Sequence, residues 1–172
     1  MEGNPPKTGK YALNYGLILG ALSVAFSIML FIQDAHTTRS PANQIISIVL
    51  MAGVILWGIY SFRKDNGGYL KLGEALKLGA GIALISGIVA IVYTLVLVNV
   101  LDPEFPTKIA ELQRITDQES GVMSAEQIQQ RYDGTINYFW FTYPFILIFS
   151  IIVGLILGLV GGLIFKKAKP SY

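Results

Sequence analysis

The stretch Gly134–Phe165, GTINYFWFTYPFILIFSIIVGLILGLVGGLIF, runs for 32 residues without one charged side chain. A helix rises about 1.5 Å per residue and the hydrocarbon core of a bilayer is about 30 Å thick, so roughly 20 apolar helical residues cross it. The run therefore predicts a membrane-spanning helix, longer than the core and so tilted or projecting, opened by a belt of Tyr138, Phe139, Trp140, Phe141 and Tyr143 at interfacial depth. Three more charge-free runs precede it: Tyr11–Gln33 and Ser40–Phe62, each of 23 residues, and Leu78–Leu101, of 24. Every one of the 24 Lys, Arg, Asp and Glu side chains falls in the remaining 70 of 172 residues. The pattern predicts one integral membrane domain over residues 1–172, an all-α four-helix transmembrane bundle with spans at about 12–32, 45–62, 78–101 and 138–165.

Composition agrees. Charged residues make up 14% of the chain against about 25% in soluble domains, and 53% is hydrophobic. Lys7 and Lys10 ahead of the first run resemble the basic start of a signal peptide. The run has about twice the apolar length of such a segment, however, and no small-x-small cleavage site follows Phe31, so it reads as an uncleaved span. With no cysteine, disulfides, thiolate metal sites and thiol catalysis are excluded.

The basic residues fall unevenly about the spans. Lys7, Lys10, Arg63, Lys64, Lys71, Lys77, Lys166, Lys167 and Lys169 share one side with only three acids, Glu2, Asp65 and Glu74. The other side holds Arg39, Lys108, Arg114 and Arg131 with eight acids. The positive-inside rule then expects both termini in the cytoplasm, and the basic clusters at Arg63-Lys64 and Lys166-Lys167 attract anionic headgroups of membrane lipids. The basic balance thus reflects topology, and no nucleic-acid partner is expected.

Two connecting segments carry readings of their own. On the inner side, Gly67–Gly79 (GGYLKLGEALKLG) spaces Lys71, Glu74 and Lys77 three apart, one polar face of a helix, with Leu72, Ala75 and Leu76 opposite. This predicts a short interfacial helix between spans two and three. Its functional reading is a contact for an unidentified membrane or cytoplasmic protein at Tyr69, Lys71, Glu74 and Lys77; its structural reading is a solvated helix lying at the headgroups. On the outer side, residues 102–133 begin with Asp102-Pro103-Glu104-Phe105-Pro106, where two prolines stop span three. Ile109, Leu112 and Ile115 then repeat at helical spacing, Gly121 breaks, and Ser124-Ala125-Glu126-Gln127 fits a capping box. A helical hairpin follows, either a lid over the bundle or a connector.

Within the bilayer, Gly154, Gly158 and Gly162 recur every four residues on span four and Gly16 and Gly20 on span one, a spacing that lets helix backbones approach closely. The ridge serves helix packing, within the chain or in a homo-oligomer. No Asp, Glu, Lys, Arg or His lies in the charge-free runs, and no nucleophile elbow, zinc pair or phosphate loop occurs. No catalytic residue, cofactor or metal site is therefore expected, and the chain does not read as an enzyme. The polar side chains left in the spans are Ser, Thr, Tyr and Asn, among them Asn14, Tyr93, Thr94 and Asn99.

Three segments together, Tyr15–Gly20 (YGLILG), the Gly67–Gly79 stretch and Asp102–Phe105, resemble a bacterial four-span family known as the domain of unknown function four-one-nine-nine. The resemblance covers nearly the whole chain, and its most specific parts are the Gly-Gly-Tyr segment and the Asp-Pro-x-Phe turn. It implies a multi-pass protein of the bacterial inner membrane, and it supplies no activity or site residues to carry over. The expectation is an accessory or structural membrane protein that contacts lipid or a partner. The alternative is a small-solute transporter or channel subunit, for which a wet path lined by Asn14, Tyr93, Thr94 and Asn99 would be the sign.

Overall fold

The computed structural model describes residues 6–38 and 40–168; Glu2, Arg39 and Lys169, counted in the charge balance, lie outside the described residues. Six α-helices follow in order: α1 (Thr8–Ile32), α2 (Pro41–Asp65), α3 (Leu72–Val96), α4 (Phe105–Ser120), α5 (Ala125–Asn137) and α6 (Thr142–Phe165). A π-helical turn, Leu97–Leu101, extends α3, and a 3₁₀ turn, Phe139–Phe141, leads into α6. The helices α1, α2, α3 with its π turn, and α6 with its 3₁₀ turn are each long and apolar enough to cross a membrane. The chain is an all-α bundle of four such helices, with α4 and α5 as a hairpin between the third and fourth.

The helices begin and end for local reasons. Pro41 opens α2 at a position where a missing N–H costs nothing. At the start of α5, the Ser124 hydroxyl accepts the Gln127 N–H at 3.3 Å while the Gln127 side-chain oxygen accepts the Ser124 N–H at 2.9 Å, closing the capping box. Gly121 ends α4 in the left-handed conformation, with φ of 64°. The spans themselves extend past the charge-free runs, because α2 keeps its helix through Arg63, Lys64 and Asp65, charges that suit a helix C-terminus at an interface only in part.

The inner segment is a correction to the sequence reading. Residues 72–77 do not form a separate interfacial helix; they are the first turns of α3. Gly67 and Gly68, with φ of 67° and 84°, turn the chain sharply, and Leu70 pairs with Lys167 in an isolated antiparallel bridge with both N–H···O distances at 3.0 Å. Leu70, Ala75 and Leu78 are buried. The amphipathic spacing misled because the face opposite Lys71, Glu74 and Lys77 packs against α6 and not against headgroups.

Helix α3 is the hub: it packs along α6 on one side and α1 on another, with α2 against all three. In lipid, tails are as apolar as Leu, so burial alone does not hold helices together; close van der Waals contact does. Gly79 of α3 and Gly154 and Gly158 of α6 bring two backbones together. A Cβ on Gly158 would stand 2.8 Å from the Ala75 carbonyl oxygen, and one on Gly79 would strike the Gly154 carbonyl. Gly162 lies against Leu72 and Ala75, while Gly16 and Gly20 of α1 receive Ile85 and Val89 of α3. Around this seam Leu19, Ile55, Ile59, Phe62, Leu78 and Ile82 are fully buried, and the opposite stripe of α6, Phe145, Phe149, Ile152, Ile156 and Leu163, is exposed as a lipid-facing surface requires.

These contacts fix the expected response to substitution. Gly158→Leu lowers stability by about 1–3 kcal/mol through overpacking. Leu159→Ala, at an exposed position, changes it little. Gly53→Ala, where an added Cβ meets nothing within 4 Å, raises it by up to about 1 kcal/mol through helix propensity. Melting temperatures in mild detergent check all three, and a Gly158→Leu protein as stable as the parent would contradict the seam.

Candidate functional site

At the end of the bundle that carries the hairpin, His36 meets two side chains, Asp102 and Lys108, that follow it by more than 60 residues. Helix α1 closes at Gln33, and Asp34, at φ of 53°, turns the chain so that the Ala35 N–H bonds the Leu30 carbonyl at 2.8 Å. His36 follows, its ring 4.9 Å from that of Phe31 and stacked 5.9 Å from that of Phe105 at the start of α4. Across from His36, α3 continues into its π turn, which the Asp102 N–H closes by reaching back five residues to the Leu97 carbonyl at 2.7 Å. Such turns hold one residue more than an α-helical turn and so reorient the residue that follows them.

That residue, Asp102, is the one buried acid among the described residues. Its carboxylate accepts the His36 Nε2 at 2.9 Å on one oxygen and the Lys108 ammonium at 2.8 and 2.9 Å on both. The side chains of His36 and Asp102 are only 11% and 8% exposed, whereas Lys108 is half open to solvent. The ammonium, and secondarily the imidazole, hold the Asp102 carboxyl below the usual carboxylate range despite its burial, and the same contact raises Lys108 above the ordinary lysine value. The cluster ties the α1–α2 turn, the end of α3 and the start of α4 into one knot. Lys108 sits where a cation would otherwise balance the acid.

Below the knot lies a cavity of about 210 Å³ between α1 and α3, lined by Ser23, Ser27, Tyr93, Thr94 and Leu97 and roofed by His36 and Phe105. A second cavity of about 220 Å³, sharing Ser23, Ser27 and Ala90 with the first, continues toward α2 and α6 past Ser47, Ser86 and Ser150. Two residues that line the first cavity each carry a buried polar atom without a partner in the structure, His36 its Nδ1 and Tyr93 its hydroxyl. Thr94, by contrast, bonds the Ala90 carbonyl of its own helix at 2.9 Å. Of the four residues named for a wet path, Tyr93 and Thr94 border this cavity; Asn99 bonds the Leu95 carbonyl at 2.7 Å and faces outward with Asn14.

The residues of the inner segment lie at the other end, where α1 begins and α6 ends. The Tyr69 ring lies under the Lys167 ammonium, 5.8 Å from its centroid, and the Tyr69 carbonyl accepts the Asn66 side-chain N–H at 3.0 Å. Glu74 accepts the Lys71 backbone N–H at 2.8 Å as a helix cap, leaving Lys71 and Lys77 exposed. Beside them the Tyr11 hydroxyl donates to Asp65. This end is a clamp between α1, α2 and the tail of α6. The His36, Asp102 and Lys108 cluster escaped sequence reasoning because its members stand on three different elements, the α1–α2 turn, the end of α3 and the first turn of α4, and carry no spacing signal. The only hint was an acid placed directly at the end of an apolar run.

Residues 14–167 match the model of a family described as a protein of unknown function (DUF4199). No curated protein and no solved structure matches the chain.

The depressed Asp102 carboxyl sets the sign of a pH effect. A group lowered in the folded state contributes stability in full above its unfolded value and loses it as pH falls through the folded one. Asp102→Asn therefore lowers the melting temperature at neutral pH, and the gap to the parent protein narrows only on acidification below the normal carboxylate range. Thermal melts of both proteins from neutral to acid pH check this; a gap independent of pH would show that the ion pair contributes nothing.

Proposed function

The chain belongs to the DUF4199 family of proteins of unknown function, and from that premise we propose that it is a non-enzymatic accessory protein of the bacterial inner membrane. In this reading it contacts lipid along its apolar faces and a partner protein at the hairpin end. One observation carries it: toward the end opposite the hairpin, α3 and α6 meet backbone to backbone at Gly79, Gly154 and Gly158, with Ala75, Leu78 and Ile82 buried beside them. A solute path through the bundle would have to part that seam. The cavities reach in from the hairpin end and are lined by hydroxyls and apolar groups, without the intramembrane carboxylates that coupled transport uses. This favours the accessory role over a transporter or channel subunit.

The geometry also favours one end for partner contact. The segment around Tyr69 and Glu74 is engaged by internal bonds, whereas α4 and α5 pack chiefly on each other and join the bundle at their bases. Arg131 pairs with Asp117 across the hairpin at 3.2 Å, Arg114 lies 5.5 Å over the Tyr132 ring, and Ala110 and Ile128 are buried between the two helices. The hairpin is thus an ordered projection, and its tip residue Val122 is 83% exposed. The charge balance orients it: the end with Arg63, Lys64, Lys166 and Lys167 faces the cytoplasm and the hairpin faces out.

With no native cysteine, single cysteines give clean tests. In intact cells a membrane-impermeant maleimide labels Ser120→Cys and leaves Lys64→Cys unlabelled; the reverse pattern would invert the orientation. A photo-crosslinker attached to Val122→Cys captures one protein partner that the same probe at Leu159→Cys, on the lipid face, does not. In proteoliposomes the purified protein passes no ions or small solutes above the protein-free rate, and saturable flux would overturn the accessory reading in favour of transport.

A further inference from the structure

We propose that the cavity beneath His36 is a binding site for an uncharged ligand that presents a hydroxyl group. Buried polar atoms are nearly always hydrogen-bonded, so two unpartnered ones on residues that line a single cavity ask for a partner. His36 Nδ1 and the Tyr93 hydroxyl are such atoms, and both residues line the same space of about 210 Å³. They come from different elements, the α1–α2 turn and α3, so the pair is a product of the fold. Size limits the occupant: an engineered apolar cavity of about 150 Å³ takes a benzene molecule, so this one accepts about eight non-hydrogen atoms, and a larger ligand extends into the adjoining cavity.

The donor and acceptor pattern selects the chemistry. Asp102, already a carboxylate beside Lys108, accepts the His36 Nε2 proton, and in the neutral ring this leaves Nδ1 as a lone-pair acceptor. A ligand carbonyl would satisfy Tyr93 and leave Nδ1 unmet. A hydroxyl serves both, donating to Nδ1 and accepting from the Tyr93 O–H. The remaining lining, with Ser23, Ser27 and Thr94 among apolar side chains, contains no Asp, Glu, Lys or Arg, so a charged ligand would be desolvated without a counter-charge. The adjoining cavity, past Ser47, Ser86 and Ser150, gives room for a partly apolar extension. Two sources offer this chemistry, an aromatic diol dissolved in the bilayer and the glycerol of a neutral glyceride.

The site is independent of the accessory role, since purified protein without any partner suffices to test it. Titration calorimetry on the full chain uses duroquinol, kept reduced, and in a second arm monoolein in phosphatidylcholine nanodiscs. Saturable binding of at least one probe is expected, and the tighter probe identifies the source. Tyr93→Phe removes the hydroxyl and keeps the ring, weakening binding about tenfold without lowering the melting temperature. Ser27→Leu fills the space shared by both cavities and weakens binding at least as much, while Gly53→Ala, away from the cavities, leaves it unchanged. No saturable binding of either probe to folded parent protein, or parental affinity in Tyr93→Phe, overturns the proposal; should Ser27→Leu fail to fold, Tyr93→Phe still decides.

Discussion

The close crossing of α3 and α6 is the contact on which the rest of the molecule depends. Inside a bilayer the solvent is as apolar as the side chains, so helix association rests on how near the backbones come and on how many contacts that nearness allows. Glycine at Gly79, Gly154 and Gly158 permits an approach that any side chain would prevent. Once α3 is held against α6, α1 docks on its other flank through Gly16 and Gly20, and α2 fills the side with Ile55, Ile59 and Phe62. The seam is tight toward the start of α3, and the two cavities lie toward the hairpin, where serines line the interfaces.

The two ends of the bundle are fastened differently, and the difference bears on function. At the end opposite the hairpin the fastening is largely to backbone: the Leu70–Lys167 bridge, the Asn66 and Arg63 side chains bonded to loop carbonyls, and the Glu74 cap. These groups are engaged with one another. At the hairpin end the fastening is electrostatic and centres on Asp102, a carboxylate sheltered from solvent and satisfied by one cation and one imidazole. Removing a carboxylate's water is costly unless partners replace it, and here Lys108 and His36 do so. The same knot positions His36 over the cavity with one ring nitrogen committed and the other free of any partner.

Much of the architecture was legible in the chain. Four charge-free runs, the capping box at Ser124 and the break at Gly121 correspond to helices α1, α2, α3 and α6 and to the hairpin, because each depends on local composition or on residues a few positions apart. The interfacial helix at residues 72–77 failed for an instructive reason. Helical periodicity shows that one face is apolar, and it cannot say whether lipid, headgroups or another helix covers that face. The candidate site failed to appear for a related reason: His36, Asp102 and Lys108 are joined by a π turn and by helix packing, neither of which leaves a pattern in the sequence.

What the amino-acid sequence determined by itself is the element list and the solvent each element was made for. Length and the absence of charge specify a membrane span without reference to any other part of the chain, since the cost of a charge in hydrocarbon is a property of the side chain alone. What only the tertiary structure decided is which faces meet and which polar atoms are left over. Glycine spacing permits close contact but names no partner, and the choice of α3 for both glycine ridges follows from the joint packing of four helices. The lone pair of His36 and the hydroxyl of Tyr93 are unmatched for the same reason, because satisfaction of a buried polar group depends on every neighbour that the fold brings to it.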